Sequence, residues 1–141
     1  MQVSKNGIAF IRDHEGCRLT AYKDGGGVWT IGVGHTGKDV HSGQTISQFE
    51  ADELLEMDLQ EHDVSLYLDG CKTSQNQFDA MTSLAFNIGM ERFHNSTVLK
   101  RHKLGNFIGA ANAFLLWRFD NGKPVEGLSR RREAERKLYL A

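Results

Sequence analysis

The sequence contains a single proline, Pro124, and only two cysteines, Cys17 and Cys71, among its 141 residues. The cysteines stand far apart with no CxxC pair, which excludes a disulfide framework and a cysteine-based zinc site. Both are expected as reduced thiols, with one bridge between them left open. No apolar run is long enough for a signal peptide or a membrane anchor, so the sequence itself is expected to encode no route of export. HExxH is absent, no Lys-Ser/Thr follows the glycine run as a P-loop requires, and the alternating acids of a calcium loop are missing. Neither a metal nor a cofactor is therefore expected. No repeat, low-complexity tract or linker interrupts the chain. Its length suits one compact domain, 1–141, and hydrophobic and charged contents of 40% and 25% are those of an ordinary soluble protein.

The formal net charge of -1 conceals an imbalance. Residues 1–70 hold 12 acidic and 5 basic side chains, a net of -7, whereas residues 71–141 hold 6 acidic and 12 basic ones, a net of +6. Arg130, Arg131, Arg132, Arg136 and Lys137 cluster near the end. That cluster reads either as a solvated helix face or as a contact surface for a polyanion. The acidic first half and the lack of a recognition motif argue against nucleic acid as a partner.

Turn signals concentrate between Gly16 and Gly43. Before them, Ile8 and Ile11 oppose Lys5 and Arg12, which predicts a short amphipathic helix over about 4–15, with Gly16 as its C-cap. Arg18 to Tyr22, a glycine turn after Asp24, and Val28 to Val33 read as a β-hairpin in a small sheet over about 17–37. Ser47 with Glu50 forms a capping box. It opens a helix expected to run toward Gly70 as the longest of the chain, with Leu54, Leu55, Leu59 and Leu66 at its apolar positions. Ser74 with Gln77 repeats the signature, and Phe78, Met81, Ala85 and Ile88 recur at helical steps up to Gly89, predicting a core stripe. Shorter helices are expected over Ser96 to Lys103, Phe107 to Trp117 and Ser129 to Leu140. One helix, a small sheet and then a helical lobe over about 47–141 make an α+β fold.

Among candidate functional residues, Glu15 closes the first predicted helix, Asp24 lies in the hairpin turn and Thr30 on the returning strand. Two carboxyl groups facing one cleft are what glycoside hydrolysis requires. With 18 acidic residues in 141, however, such a spacing arises readily by chance. The surrounding text is far more specific. Glu15-Gly16-Cys17-Arg18-Leu19-Thr20-Ala21-Tyr22-Lys23-Asp24 and Trp29-Thr30-Ile31-Gly32-Val33-Gly34-His35-Thr36 resemble the phage-type lysozymes of glycoside hydrolase family 24. Ser83 to Gly89, Ser96 to Leu99 and Gly127 to Arg132 resemble that family's later motifs in the same order, so the resemblance spans nearly the whole chain.

The resemblance implies a lysozyme-like fold, with the active-site cleft between a small sheet lobe and a larger helical lobe. It implies an inverting muramidase that cuts peptidoglycan between N-acetylmuramic acid and N-acetylglucosamine. Glu15 would be the general acid, with Asp24 and Thr30 holding the attacking water. The expected place of Glu15 at a helix C-terminus, where the dipole's partial negative charge lies, is an independent reason to expect it as the general acid. Asp24 is expected in a glycine turn rich in free backbone N–H groups that a carboxylate can accept from.

His35 is read as a structural hydrogen-bonding residue, and the family pattern suggests Asp58 as its partner. On the same resemblance Asn87 contacts a substrate N-acetyl group, although a helix C-cap is an equally ready explanation. Arg131, or one of its neighbours, supports Glu15. Trp29 and Trp117 are read as core residues, and His14 as pointing away from Glu15. The biological setting implied is a phage or prophage endolysin. It would be a monomer held in the host cytoplasm until a holin gives it access to the periplasm and wall. The alternatives weighed are an inactive wall-binding or phage structural protein on the same fold, and a lytic transglycosylase.

Overall fold

A computed structural model describes all residues, Met1–Ala141. The chain forms two compact units, one of residues Ile8–Glu61 and one of Met1–Gly7 with His62–Ala141. Helix α1, Lys5–Glu15, contributes to both. At its start the Gly7 N–H donates to Ser4 Oγ at 3.0 Å, which satisfies a donor that a first turn leaves unpaired. At its end the Gly16 N–H reaches the Arg12 carbonyl at 2.8 Å, and Gly16 takes the left-handed conformation, φ +81°, which a side chain would strain.

In the first unit β1, Arg18–Lys23, pairs antiparallel with β2, Trp29–Gly32, placing Lys23 opposite Trp29 and Tyr22 opposite Thr30. The short β3, His35–Thr36, pairs on the other side of β2. Helix α2, Gln48–Gln60, packs on this sheet. At Gly32 a Cβ would lie 3.5 Å from that of Ala51, and φ is +66°, so glycine serves both the approach of the helix and the backbone turn. The sequence reading put α2 in the helical lobe; its buried face of Ala51, Leu55 and Leu59 instead joins it to the sheet unit.

That helix is also shorter than expected. It ends at Gln60, a 3-10 turn follows over Val64–Tyr67, and Leu66 is exposed. The longest helix is instead α7, Glu126–Leu140. Asp63 explains the break: its side chain accepts from the Ser65 N–H and starts a new turn in place of a continued helix.

The second unit is built around α3, Gln75–Ile88, in which every residue from Phe78 to Ala85 is buried. Around it lie α4, Met90–His94, α5, Thr97–Lys103, α6, Phe107–Ala113 with a 3-10 turn over Phe114–Trp117, and α7. The core joins Phe78, Met81 and Leu84 to Phe93, Leu99, Phe114 and Tyr139. Both capping boxes, Ser47 with Glu50 and Ser74 with Gln77, are formed. Two elements had no sequence signal strong enough to be expected: α4, and a two-stranded hairpin of β4, Phe119–Asp120, with β5, Lys123–Pro124.

Candidate active site

Glu15, Asp24, Thr30, His35 and Asp58 all belong to the first unit, and Asn87 and Arg131 to the second. Glu15 is the last residue of α1 and is exposed. Cys17, two residues on, accepts a contact from Gln48 Nε2 at 3.7 Å. The same amide donates to Asp52 at 3.1 Å, and Asp52 in turn receives Arg12 Nη1 at 2.8 and 3.0 Å. Residues on either side of Glu15 are thus tied to α2.

Asp24 closes the glycine turn on itself. Its Oδ1 accepts the N–H groups of Gly26, at 2.8 Å, and Val28, at 2.9 Å, while its own N–H donates to the Val28 carbonyl at 2.9 Å. The Thr30 hydroxyl donates to that same carbonyl at 3.0 Å. The carboxylate is therefore exposed but held through one oxygen, and the largely buried threonine hydroxyl keeps its lone pairs available as an acceptor. A fixed carboxylate and a fixed hydroxyl on one hairpin can together orient a water molecule.

His35 lies between two carboxylates. Nδ1 is 2.9 Å from Asp58 Oδ2, the partner expected from the sequence, and Nε2 is 3.0 Å from Asp39 Oδ2. Burial on its own would lower the imidazole, but hydrogen bonds to Asp58 and Asp39 outweigh it and hold His35 above its ordinary value. Asp39 is correspondingly lowered by its bond to His35. Asp39 was not picked out from the sequence, though its four-residue spacing from His35 beyond the Gly37 turn was the available signal.

Asn87 is exposed and lies inside α3, one residue before its end. The C-cap explanation is thereby overturned, because Gly89 caps the helix and its N–H bonds to the Ala85 carbonyl. The arginine run does not form a continuous cationic surface either. Arg131 and Arg132 are buried with Glu135: Arg131 Nε is 3.3 Å from Glu135 Oε2, and Arg132 Nη2 is 3.1 Å from it. Arg132 Nε also lies 2.6 Å from Oε1, an ion-pair contact. Ser83 Oγ donates to Glu135 at 2.5 Å, and Arg131 Nη2 donates to the Ser83 carbonyl at 3.1 Å. Only Arg130, Arg136 and Lys137 of that run lie toward solvent.

Both cysteines are free thiols. Trp117 is half-buried against the core, Trp29 is half-buried beneath the Lys23 ammonium, and the His14 ring packs on Phe10 at 4.5 Å.

Known proteins are similar in sequence and fold. Residues 12–135 match the family model described as phage lysozyme. An endolysin of Salmonella phage P22 is 48% identical, with 100% of this chain and 99% of that protein covered. A crystal structure of a P22 lysozyme mutant superposes with a TM-score of 0.93 at 48% identity, covering 100% of this chain and 99% of that one. The muramidase domain of SpmX from Asticaccaulis excentricus does so with a TM-score of 0.89 at 36% identity, covering 99% and 98%.

Proposed function

Because the chain belongs to the phage lysozyme family and is an endolysin-type muramidase that hydrolyses peptidoglycan, we propose that Glu15, Asp24 and Thr30 carry out its chemistry by an inverting route. The observation that carries this reading is the Asp24–Val28–Thr30 hydrogen-bond set, which fixes a carboxylate and a hydroxyl to the same residue of the hairpin that follows Glu15.

Glu15 gives its proton to the glycosidic oxygen as the bond from that oxygen to the muramic acid C1 breaks. Positive charge develops on the ring. Water held by Asp24 and Thr30 attacks C1 from the opposite face, and Asp24 takes up its proton. Inversion calls for carboxyl groups roughly 6.5 to 9.5 Å apart, with room for that water. Asn87 binds an N-acetyl group, His35 with Asp58 supports the sheet that bears Thr30, and Arg131 supports Glu15.

Mass spectrometry of purified peptidoglycan digests tests the assignment. Reducing-end muramic acid from the wild type and none from Glu15→Gln is the expected result, with the α-anomer appearing first by NMR. Anhydro-muramic products, undiminished Glu15→Gln activity or an initial β-anomer would each overturn it.

The chain acts on the bacterial cell wall, and none of its helices is long and apolar enough to cross a membrane. We further propose that it is made in the host cytoplasm, works as a monomer and reaches its substrate once a holin opens the inner membrane. Lysis on co-expression with a holin, but not without one, is the corresponding test.

A further inference from the structure

We propose that the outer face of α5 and α6 docks on anionic phospholipid bilayers. From Arg92 to Phe119 the chain contains no aspartate or glutamate, while it carries Arg92, Lys100, Arg101, Lys103 and Arg118. On α5 the buried side consists of Val98, Leu99 and His102. Lys100, Lys103 and Leu104, at three- and four-residue steps, lie on the other. Neither lysine has a carboxylate partner.

Arg101 Nη1 donates to the Gly109 carbonyl at 3.0 Å and clamps the end of α5 to the start of α6, so Leu104 and Ile108 stand at one corner. Along α6 the alanines Ala110, Ala111 and Ala113 face the core. Ile108 and Asn112, four residues apart, follow the opposite side, and Leu116 is exposed in the 3-10 turn that continues α6. Leu104, Ile108 and Leu116 are 75%, 65% and 59% exposed. Arg136 of α7 reaches Asn112 Oδ1 at 3.0 Å and adds a guanidinium at the edge of this row.

Unpaired cations interleaved with exposed branched aliphatic side chains fit one kind of partner. A soluble polyanion would engage the lysines but give Leu104 and Ile108 nothing to bury. A bilayer with anionic headgroups supplies charge for the first and acyl chains for the second. For an enzyme acting on the wall, such a bilayer lies beside its substrate. The proposal does not rest on which residues are catalytic.

Co-sedimentation of the full chain with vesicles tests it, at physiological salt, comparing equal parts phosphatidylglycerol and phosphatidylethanolamine with phosphatidylcholine alone. Pelleting with the anionic vesicles only is expected. The double variant Lys100→Gln with Lys103→Gln should lower the partition coefficient roughly 25-fold, about fivefold for each lysine. Leu104→Ser with Ile108→Ser should lower it about tenfold or more. Both variants should keep the wild-type circular dichroism spectrum and activity on purified peptidoglycan. Equal binding to phosphatidylcholine, or full vesicle binding in either double variant, would overturn the proposal. So would retention on a soluble polyanion that needs the lysines but not Leu104 and Ile108.

Discussion

Asp24 and Thr30 are joined through a single acceptor, the Val28 carbonyl, which receives the Asp24 N–H at 2.9 Å and the Thr30 hydroxyl at 3.0 Å. The turn is closed from the other side by Asp24 Oδ1, which accepts the Val28 N–H. A substitution can separate this turn-closing role from the catalytic role proposed for Asp24. Asparagine keeps the Oδ1 acceptor but cannot take up a proton from water. Asp24→Asn should lower turnover on peptidoglycan by 100-fold or more while the thermal midpoint stays within about 2 °C of wild type. A midpoint that falls with activity would make Asp24 a turn residue only.

The His35 pair implies a stability that fades in alkali. His35 holds its proton above the ordinary 6.5 because Asp58 and Asp39 outweigh the effect of burial. The sign follows from the folded form binding the proton more tightly. The contribution is complete below about pH 6.5 and is lost as pH rises through the folded value. Asp58→Asn should cost about 1 kcal/mol at pH 6, after allowance for solvent screening, and progressively less toward pH 9. Thermal midpoints of the two proteins across that range provide the comparison, and parallel curves would contradict it.

His102 acts in the opposite sense. It is buried between Thr73 Oγ1, at 2.8 Å from Nε2, and the Tyr139 hydroxyl, at 2.5 Å from Nδ1. Burial lowers this imidazole below 6.5, and burial raises the Tyr139 phenol. The unfolded chain thus takes up the proton first on acidification. Stability from the neutral imidazole is present above about pH 6.5 and lost as pH falls toward the folded value. In His102→Gln the acid limb of the stability curve should be shallower, by up to about 1.4 kcal/mol per pH unit in that window. Chemical denaturation at pH 7, 6 and 5 would detect the difference.

Glu135 is fully buried between Arg131 and Arg132, with Ser83 donating to it. Burial pushes its carboxyl up, and the two guanidiniums oppose that shift. Removing the carboxylate leaves two buried cations facing each other. Glu135→Ala should lose roughly 3 to 5 kcal/mol of unfolding free energy, and an added Arg132→Met should restore part of it. Urea titrations of the single and double variants would show this coupling, and strict additivity would exclude it.

What the sequence determined lies in local chemistry. A capping serine reaches an N–H three residues away, a glycine ends a helix within one turn, and alternation with a glycine turn makes a hairpin. Ser47, Ser74, Gly16 and the strands around Asp24 were legible for that reason, and the motif text from Glu15 to Thr36 pointed to the family. The tertiary structure decided what depends on contacts between distant segments. It turned the Arg131–Arg132 pair from apparent surface charge into a buried ion cluster around Glu135, against Ser83 on another helix. It assigned α2 to the sheet through Gly32 and Ala51. It set His35 of the sheet against Asp58 of α2, whereas its second carboxylate, Asp39, and the Asp24–Val28–Thr30 link are local contacts fixed by loop geometry. Hydropathy registers what a side chain prefers by itself, and a charged side chain is buried only when a distant partner offsets the cost of leaving water.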